Sequence, residues 1–187
     1  MAELERILHF LEETFQVSSF PDYPHALNGL QVQGPDEIRV IGAAVDASEA
    51  TISEAVSQGV QLLLVHHGLF WGGLGPLTGP RYRRVAGLIN GKVGLYGLHL
   101  PLDAHPDLGN NALVLRSLEL RPEGRFGHYK DLEVGWWARA DLNREELSHR
   151  LAVAVEGETR VIAGGPEVVK KVGVLTGAGA SSMEEAM

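Results

Sequence analysis

The hydrophobic pattern divides much of the chain into alternating helices and strands. Residues 3–15 place apolar side chains at helical spacing with glutamates opposite, which predicts an amphipathic surface helix. Near-continuous apolar runs predict three buried strands, at residues 38–47, 60–67 and 93–100. A helical pattern follows each of these strands, at residues 48–59, 81–92 and 108–120. Ser48 is the predicted N-cap of the first of these helices. This alternation is typical of a parallel or mostly parallel sheet.

The pattern changes near Arg125. Residues 131–140 form a strand candidate with polar flanks, and residues 143–155 form a helix that Asn143 would cap. We therefore expect a first α/β lobe at 1–125 and a second lobe at 126–187. The predicted fold class is α/β, with mostly parallel or mixed sheets flanked by helices in two similar lobes.

An internal comparison supports the similarity of the lobes. Residues 41–55 align without gaps on residues 172–186, with matched glycines at Gly42 and Gly173. Each copy reads as one strand, a tight turn and a helix, although chance similarity between two such units is an open alternative. The second copy stops at Met187, about one turn into its helix, and a single turn is not stable alone. We therefore expect the second lobe to be incomplete at its C-terminus.

Composition narrows the classes of function. The 187 residues carry 24 acidic and 16 basic side chains, a net charge of −8, which disfavours nucleic acid or an anionic membrane as a partner. There are no cysteines, so disulfides and thiolate metal sites are excluded and any metal must be held by nitrogen and oxygen. The acidic N-terminus does not resemble a secretory signal, and no apolar stretch is as long as a membrane span. We expect a cytoplasmic protein without a membrane segment.

Histidines follow two of the predicted strands. His66 and His67 end the strand at 60–67, and His99 and Asp103 follow the next strand, where we expect Pro101 to stop the strand and turn the HLPLD stretch into a loop. Because ligands collect at the carboxyl ends of strands in an open α/β sheet, these side chains can share one rim. Imidazole and carboxylate ligands suit Zn, Mn, Fe, Co or Ni.

The two adjacent histidines allow two interpretations. Successive side chains on a strand point to opposite faces, so neighbouring imidazoles would serve two ions about 3.5 to 4 Å apart more readily than one ion. The alternative is a structural pair, with one histidine bonded to the backbone and the other facing solvent. The nearby HLPLD stretch favours the metal interpretation.

Three further features are weaker candidates. Asp46 ends the first predicted strand, and it either lines the same rim or forms a local turn. The basic cluster could hold a phosphate or simply form a solvated helix face, and consists of Arg81, Arg83 and Arg84. The GAGASS stretch at 177–182 lacks the third glycine of a dinucleotide-binding loop, so a tight turn is the preferred interpretation.

Several stretches together resemble a known family. LLLVHHGLFWGG, YGLHLPLDAHPDLGNNALVLRSLEL, NGLQV and GPEVVKKVGVLTGAG are similar to the dinuclear metal-centre proteins called GTP cyclohydrolase I type 2 homologues. The resemblance implies an α/β fold of two similar lobes, a homohexameric ring of two trimers, and two divalent metal ions per subunit. His66 resembles a ligand of one metal, and His67 and Asp103 resemble ligands of the other. The family completes the site from a C-terminal segment that is not in this sequence, so we expect an incomplete ligand set.

The resemblance implies a metal-dependent hydrolase that acts on a nucleotide or another small heterocyclic substrate, as in GTP cyclohydrolase chemistry. His99 or His105 would then shuttle protons. The alternative is a non-catalytic, metal-binding oligomeric scaffold or regulator, because similarity to a family does not demonstrate a reaction. A nicotinamide or flavin binder would rest on GAGASS alone.

Overall fold

The computed structural model describes residues 1–73 and 75–186 and divides into two compact units, Met1–Pro101 and the residues from Leu102 onward. The strands of the described residues are β1 (Ala2–Glu3), β2 (Gly29–Val32), β3 (Glu37–Ile38), β4 (Ile41–Asp46), β5 (Leu62–His67), β6 (Gly94–Gly97), β7 (Gly124–Tyr129), β8 (Leu132–Asn143) and β9 (Val168–Val174). The α-helices are α1 (Leu4–Phe15), α2 (Glu49–Ser57), α3 (Gly79–Gly91), α4 (Leu100–Asp103), α5 (Asn110–Ser117), α6 (Arg144–Ala154) and α7 (Met183–Ala186).

The first unit is built on a four-stranded sheet in the order β2-β6-β5-β4. Strands β4, β5 and β6 are parallel, and β2 is antiparallel to β6, so the sheet is mixed. A separate pair, β1 and β3, is antiparallel. The prediction of an α/β protein with mixed sheets and flanking helices is confirmed.

Strand β5 is central in this sheet, which explains its apolar sequence. It is paired on both edges, and Leu62, Leu63 and Val65 are all buried. Leu63 and Val65 share a core with Ile52 of α2 and Leu88 of α3. A strand covered in this way needs apolar side chains along its length, and polar residues appear only at its carboxyl end.

Both predicted helix caps are confirmed. The Ser48 hydroxyl accepts a hydrogen bond from the backbone N–H of Thr51 at 3.0 Å, and the Asn143 Oδ1 accepts one from Glu145 at 2.8 Å. These bonds satisfy N–H groups that a helix leaves without a partner at its first turn. The predicted helix at 3–15 is also found, as α1.

The structure differs from the sequence predictions in three places. The HLPLD stretch does not form a loop, because residues 100–103 form the short helix α4, whose first turn accommodates Pro101. Residues 16–37, where the sequence analysis assigns no helix or strand, contain β2, which pairs with the distant strand β6. Strand β7 was not predicted, and it forms an antiparallel hairpin with β8.

The second unit is a three-stranded antiparallel sheet in the order β7-β8-β9, with helices α5 and α6. Leu115 of α5 is fully buried in one core with Ala138 of β8 and Val172 of β9. Because α5 packs on strands that come later in the chain, the compact unit begins at Leu102, whereas the change in sequence pattern lies near Arg125. The similarity of the two lobes stays a prediction.

Within the described residues, no helix is long and apolar enough to cross a lipid bilayer.

Candidate metal centre

Three histidines of the first unit come together at the carboxyl edge of the parallel strands. His66 and His67 end β5, and His99 follows the end of β6. One potential ligand atom from each of them lies within 4.8 Å of the other two. The ring centroids are 4.6 Å apart for His66 and His67, 5.0 Å for His66 and His99, and 5.7 Å for His67 and His99. This geometry confirms that the strand ends deliver three imidazoles to one rim.

The two adjacent histidines converge although they are neighbours on a strand. The His66 Nδ1 lies 3.0 Å from the carbonyl oxygen of Leu98, just beyond β6, and the His67 Nδ1 lies 2.8 Å from the Asp46 Oδ1, at the end of β4. Each imidazole is therefore tied to a different neighbouring strand, while the two rings remain close. Alternation along the strand therefore does not prevent the two rings from lying side by side.

Each clustered imidazole has its Nδ1 next to a hydrogen-bond acceptor. The third contact joins His99 Nδ1 to the Asp22 carboxylate, at 2.9 and 3.1 Å. Because a carbonyl or an ionised carboxylate only accepts, each ring donates from Nδ1, and in its neutral form it has its lone pair on Nε2. Metal-binding histidines typically show this arrangement, in which one nitrogen is oriented by an acceptor and the other binds the ion. The residues present therefore fit a divalent cation.

Asp22 differs from the other carboxylate partner in its burial. Its side chain is 4% exposed, whereas the Asp46 side chain is 66% exposed. Burial raises the pKa of Asp22, but hydrogen bonds from His99, Asn28 and the Tyr23 backbone outweigh it and leave the pKa below its ordinary value. Asp22 is thus a carboxylate, able to accept from His99. Sequence reasoning missed this residue, since nothing in the local sequence around it indicates a contact with the distant His99.

The side chain of Gln31, on β2, contacts the segment that follows the histidine pair and the end of β6. Its side-chain oxygen accepts a hydrogen bond from Leu69 N at 2.8 Å, and its amide donates to the Leu27 carbonyl. A Cβ atom at Gly68 would lie 2.0 Å from the Gln31 Nε2, and one at Gly97 would lie 2.5 Å from it. Glycine after the histidine pair and at the end of β6 therefore gives Gln31 room to cross between the loops.

Aromatic side chains border the cluster. The Trp71 ring lies 4.8 Å from the His99 ring and 6.2 Å from the His67 ring, and the Tyr23 ring lies 5.8 Å from His99. Both aromatic residues are partly exposed. Residues adjacent to them in sequence, including Pro24 and Phe70, line a cavity of about 510 Å³. A cavity of this size is typical of small-molecule sites.

The other predicted site residues, Asp103 and His105, belong to the second unit. Asp103 is buried, and its Oδ1 accepts hydrogen bonds from Asn110 at 2.8 Å and from Thr176 at 3.2 Å. The Nδ1 of His105 accepts from the backbone N–H groups of Asp107 and Leu108, so its proton is on Nε2. The metal role of Asp103 and the proton-shuttle role of His105 stay predictions.

The weaker candidates also have defined surroundings. Asp46 contacts His67 as described, which places it at the rim. Arg83 forms two hydrogen bonds of 2.9 Å with the carboxylate of Glu49 on the exposed surface, so its guanidinium serves a helix–helix ion pair. This pairing favours the solvated helix face over a phosphate site for Arg83.

Together, the mixed sheet and the three oriented imidazoles define an α/β protein with a histidine cluster suited to a divalent cation. The chain belongs to the Duf34/NIF3 (NGG1p interacting factor 3) family, whose model matches residues 2–187.

Known relatives agree with this assignment. A GTP cyclohydrolase 1 type 2 homolog from Deinococcus radiodurans is 39% identical over 184 residues, which cover 97% of this chain and 69% of the relative. The crystal structure of TTHA1606 from Thermus thermophilus has a TM-score of 0.88 and 33% identity, covering 98% of this chain and 74% of that chain. Protein ybgI, described as being of unknown function, has a TM-score of 0.88 and 32% identity, with 99% and 74% covered.

Proposed function

We propose that this protein is a divalent-metal-dependent hydrolase that acts on a nucleotide or another small heterocyclic substrate. The observation that carries the proposal is the cluster of His66, His67 and His99, in which each Nδ1 lies next to a hydrogen-bond acceptor. Relatives named as GTP cyclohydrolase 1 type 2 homologs support the choice of reaction class.

In this proposal the three Nε2 atoms hold one divalent cation. We propose a second ion per subunit, as the family resemblance implies. A bound divalent cation would supply Lewis acidity, which lowers the pKa of a coordinated water and stabilises negative charge that develops on the substrate. The protein's own contribution is orientation. Asp22, Asp46 and the Leu98 carbonyl fix the tautomer and direction of the rings before a cation arrives.

Aromatic surface beside the cluster supports a heterocyclic substrate. Trp71 and Tyr23 are each partly exposed and lie within 6 Å of the His99 ring, measured between centroids. A planar ring can stack on such a surface and gain about 0.5 to 1.5 kcal/mol beyond the burial of its area. The proton-shuttle role of His99 is an alternative to its role as a ligand, and the variants below separate the two.

The test is turnover by the metal-loaded protein with GTP, a panel of phosphoesters and a panel of cyclic amides. We expect turnover of at least one class, and its loss in His66→Ala together with loss of bound metal. A His99→Ala protein that keeps its metal but loses turnover would assign His99 to proton transfer. Turnover that survives in both His66→Ala and Asp103→Ala would contradict the metal mechanism. Metal binding without any turnover would favour the scaffold alternative.

The resemblance also implies a homohexameric ring of two trimers. Light scattering on the purified chain tests this expectation, and a monomer at micromolar concentration would contradict it.

A further inference from the structure

The His99 imidazole is hydrogen-bonded to a buried carboxylate, and both oxygens of this carboxylate accept hydrogen bonds. Asp22 lies between α1 and β2, and the residue is 8% exposed. Its Oδ1 accepts from the Tyr23 backbone N–H at 2.6 Å and from His99 Nδ1 at 2.9 Å. Its Oδ2 accepts from Asn28 Nδ2 at 2.8 Å and from the Leu100 backbone N–H at 3.0 Å.

All four of these neighbouring groups donate hydrogen bonds to Asp22, so the site suits an ionised carboxylate. An asparagine at this position would turn its own NH₂ group toward one pair of donors. The NH₂ group would then face another donor in a buried site, and both would lack an acceptor. Each buried polar group without a partner lowers the stability by about 1 to 3 kcal/mol. The chemistry of the pocket therefore selects aspartate rather than its amide.

Asn28 closes the network around the same histidine. Its Nδ2 donates to Asp22, and its Oδ1 accepts from the backbone N–H of His99 at 2.8 Å. The ring of His99 and its main chain are thus both fixed from one loop. The His99 side chain is 12% exposed, so little solvent competes for these bonds.

We infer that Asp22, supported by Asn28, is a positioning residue that holds His99 in the Nδ1–H tautomer and directs its Nε2 toward a cation shared with His66 and His67. This inference rests on the metal centre of the proposed function. It distinguishes Asp22 from Asp46, because the bond between Asp46 and His67 is exposed to water. A hydrogen bond exposed to water contributes little, because solvent competes for both partners, so the two aspartates are not equivalent.

The test is a double-mutant cycle on Co²⁺ affinity, measured by titration calorimetry and by the visible absorption of bound Co²⁺. We expect Asp22→Asn to weaken Co²⁺ binding by about 10- to 100-fold, the usual effect of removing an orienting partner. Asp46→Asn should weaken it less, and the exposed control Asp131→Asn should leave it unchanged. In a His99→Ala background, Asp22→Asn should cause no further loss, because Asp22 acts through His99.

Two results would overturn the inference. One is an Asp22→Asn protein that binds Co²⁺ with wild-type affinity. The other is an Asp22→Asn change that lowers the Co²⁺ affinity equally in the presence and absence of His99, which indicates a structural role. If Asp22→Asn does not fold, Asn28→Ala is tested instead. We expect a smaller loss of Co²⁺ affinity, which again occurs only when His99 is present.

A metal-free measurement separates this inference from the proposed function. Long-range ¹⁵N–¹H NMR spectra of the histidine rings should show His99 protonated on Nδ1 in the wild type and a changed tautomer population in the Asp22 variant. A wild type that binds Co²⁺ but has His99 protonated on Nε2 contradicts the inference alone. A wild type that binds no cation contradicts both, whereas cation binding without hydrolysis contradicts only the proposed reaction.

Discussion

At the scale of single residues, the histidine cluster depends on partners that are far apart in sequence. His66 is bonded to Leu98, His67 to Asp46 and His99 to Asp22. Each partner atom is an oxygen that accepts, so all three imidazoles donate from Nδ1. The cluster is therefore organised in advance for a cation.

Trp71 provides a direct probe of this cluster, because its ring is 4.8 Å from His99. We expect Ni²⁺ or Co²⁺, which quench indole fluorescence at short range, to reduce the emission of the protein as they bind. The chain has three tryptophans, and the other two are Trp136 and Trp137 of the second unit. Replacing Trp71→Phe should remove most of the quenching while calorimetry still shows binding. Undiminished quenching in Trp71→Phe would place the cation elsewhere.

At the scale of secondary-structure elements, the site follows from three parallel strands that end at one edge of the sheet. At the opposite, amino end of β6, the loop between β2 and β3 approaches the strand closely. A Cβ atom at Gly34 would lie 2.7 Å from the backbone nitrogen of Gly94 and 3.0 Å from the carbonyl oxygen of Gln61. Backbone atoms in paired strands cannot move aside easily, so this glycine is required by packing.

We therefore expect Gly34→Ala to lower the free energy of unfolding by about 1 to 3 kcal/mol, the range observed when a packed site is overfilled. The matched control is Gly164→Ala, where nothing lies within 4 Å of the added methyl group. The control should stay within about 0.5 kcal/mol of the wild type. Urea unfolding followed by circular dichroism measures both, and equal stability of the two variants would contradict the close approach.

Sequence patterns predicted the elements whose causes are local. Apolar runs indicated β4, β5 and β6, and the caps at Ser48 and Asn143 were read from single residues. Strand β2 was missed because its partner β6 is distant in sequence. Strand β7 was missed although its partner β8 follows it directly, because residues 124–129 carry no alternating pattern that separates them from a loop.

The candidate site was predictable only in part, for the same reason. His66 and His67 stood out because an apolar strand ends on them, and His99 because it follows the next strand. Asp22 and Gln31 could not be found, since their roles depend on contacts with residues distant in sequence, His99 for Asp22 and Leu69 for Gln31. Asp103 was identified by its position after the same strand as His99 and by the family resemblance, and its buried carboxylate accepts hydrogen bonds from Asn110 and Thr176 in the second unit.

At the scale of the whole molecule, the chain consists of two compact units, each with its own sheet. The first has a mixed sheet and contains the histidine cluster, and the second has an antiparallel sheet. Because the three histidines lie in the first unit, a cation that binds only the folded state should stabilise that unit through mass action, by an amount that grows with free metal concentration.

The central claim is that His66, His67 and His99 together bind a divalent cation, and Zn²⁺ titration calorimetry tests it most directly. The compared proteins are the wild type, a triple variant with these histidines changed to alanine, and a control triple variant, His9→Ala/His128→Ala/His149→Ala, which loses the same number of imidazoles. We predict that the wild type and the control bind Zn²⁺ with the same stoichiometry and affinity, and that the cluster variant loses this binding. Equal Zn²⁺ binding by the cluster variant and the wild type would contradict the account.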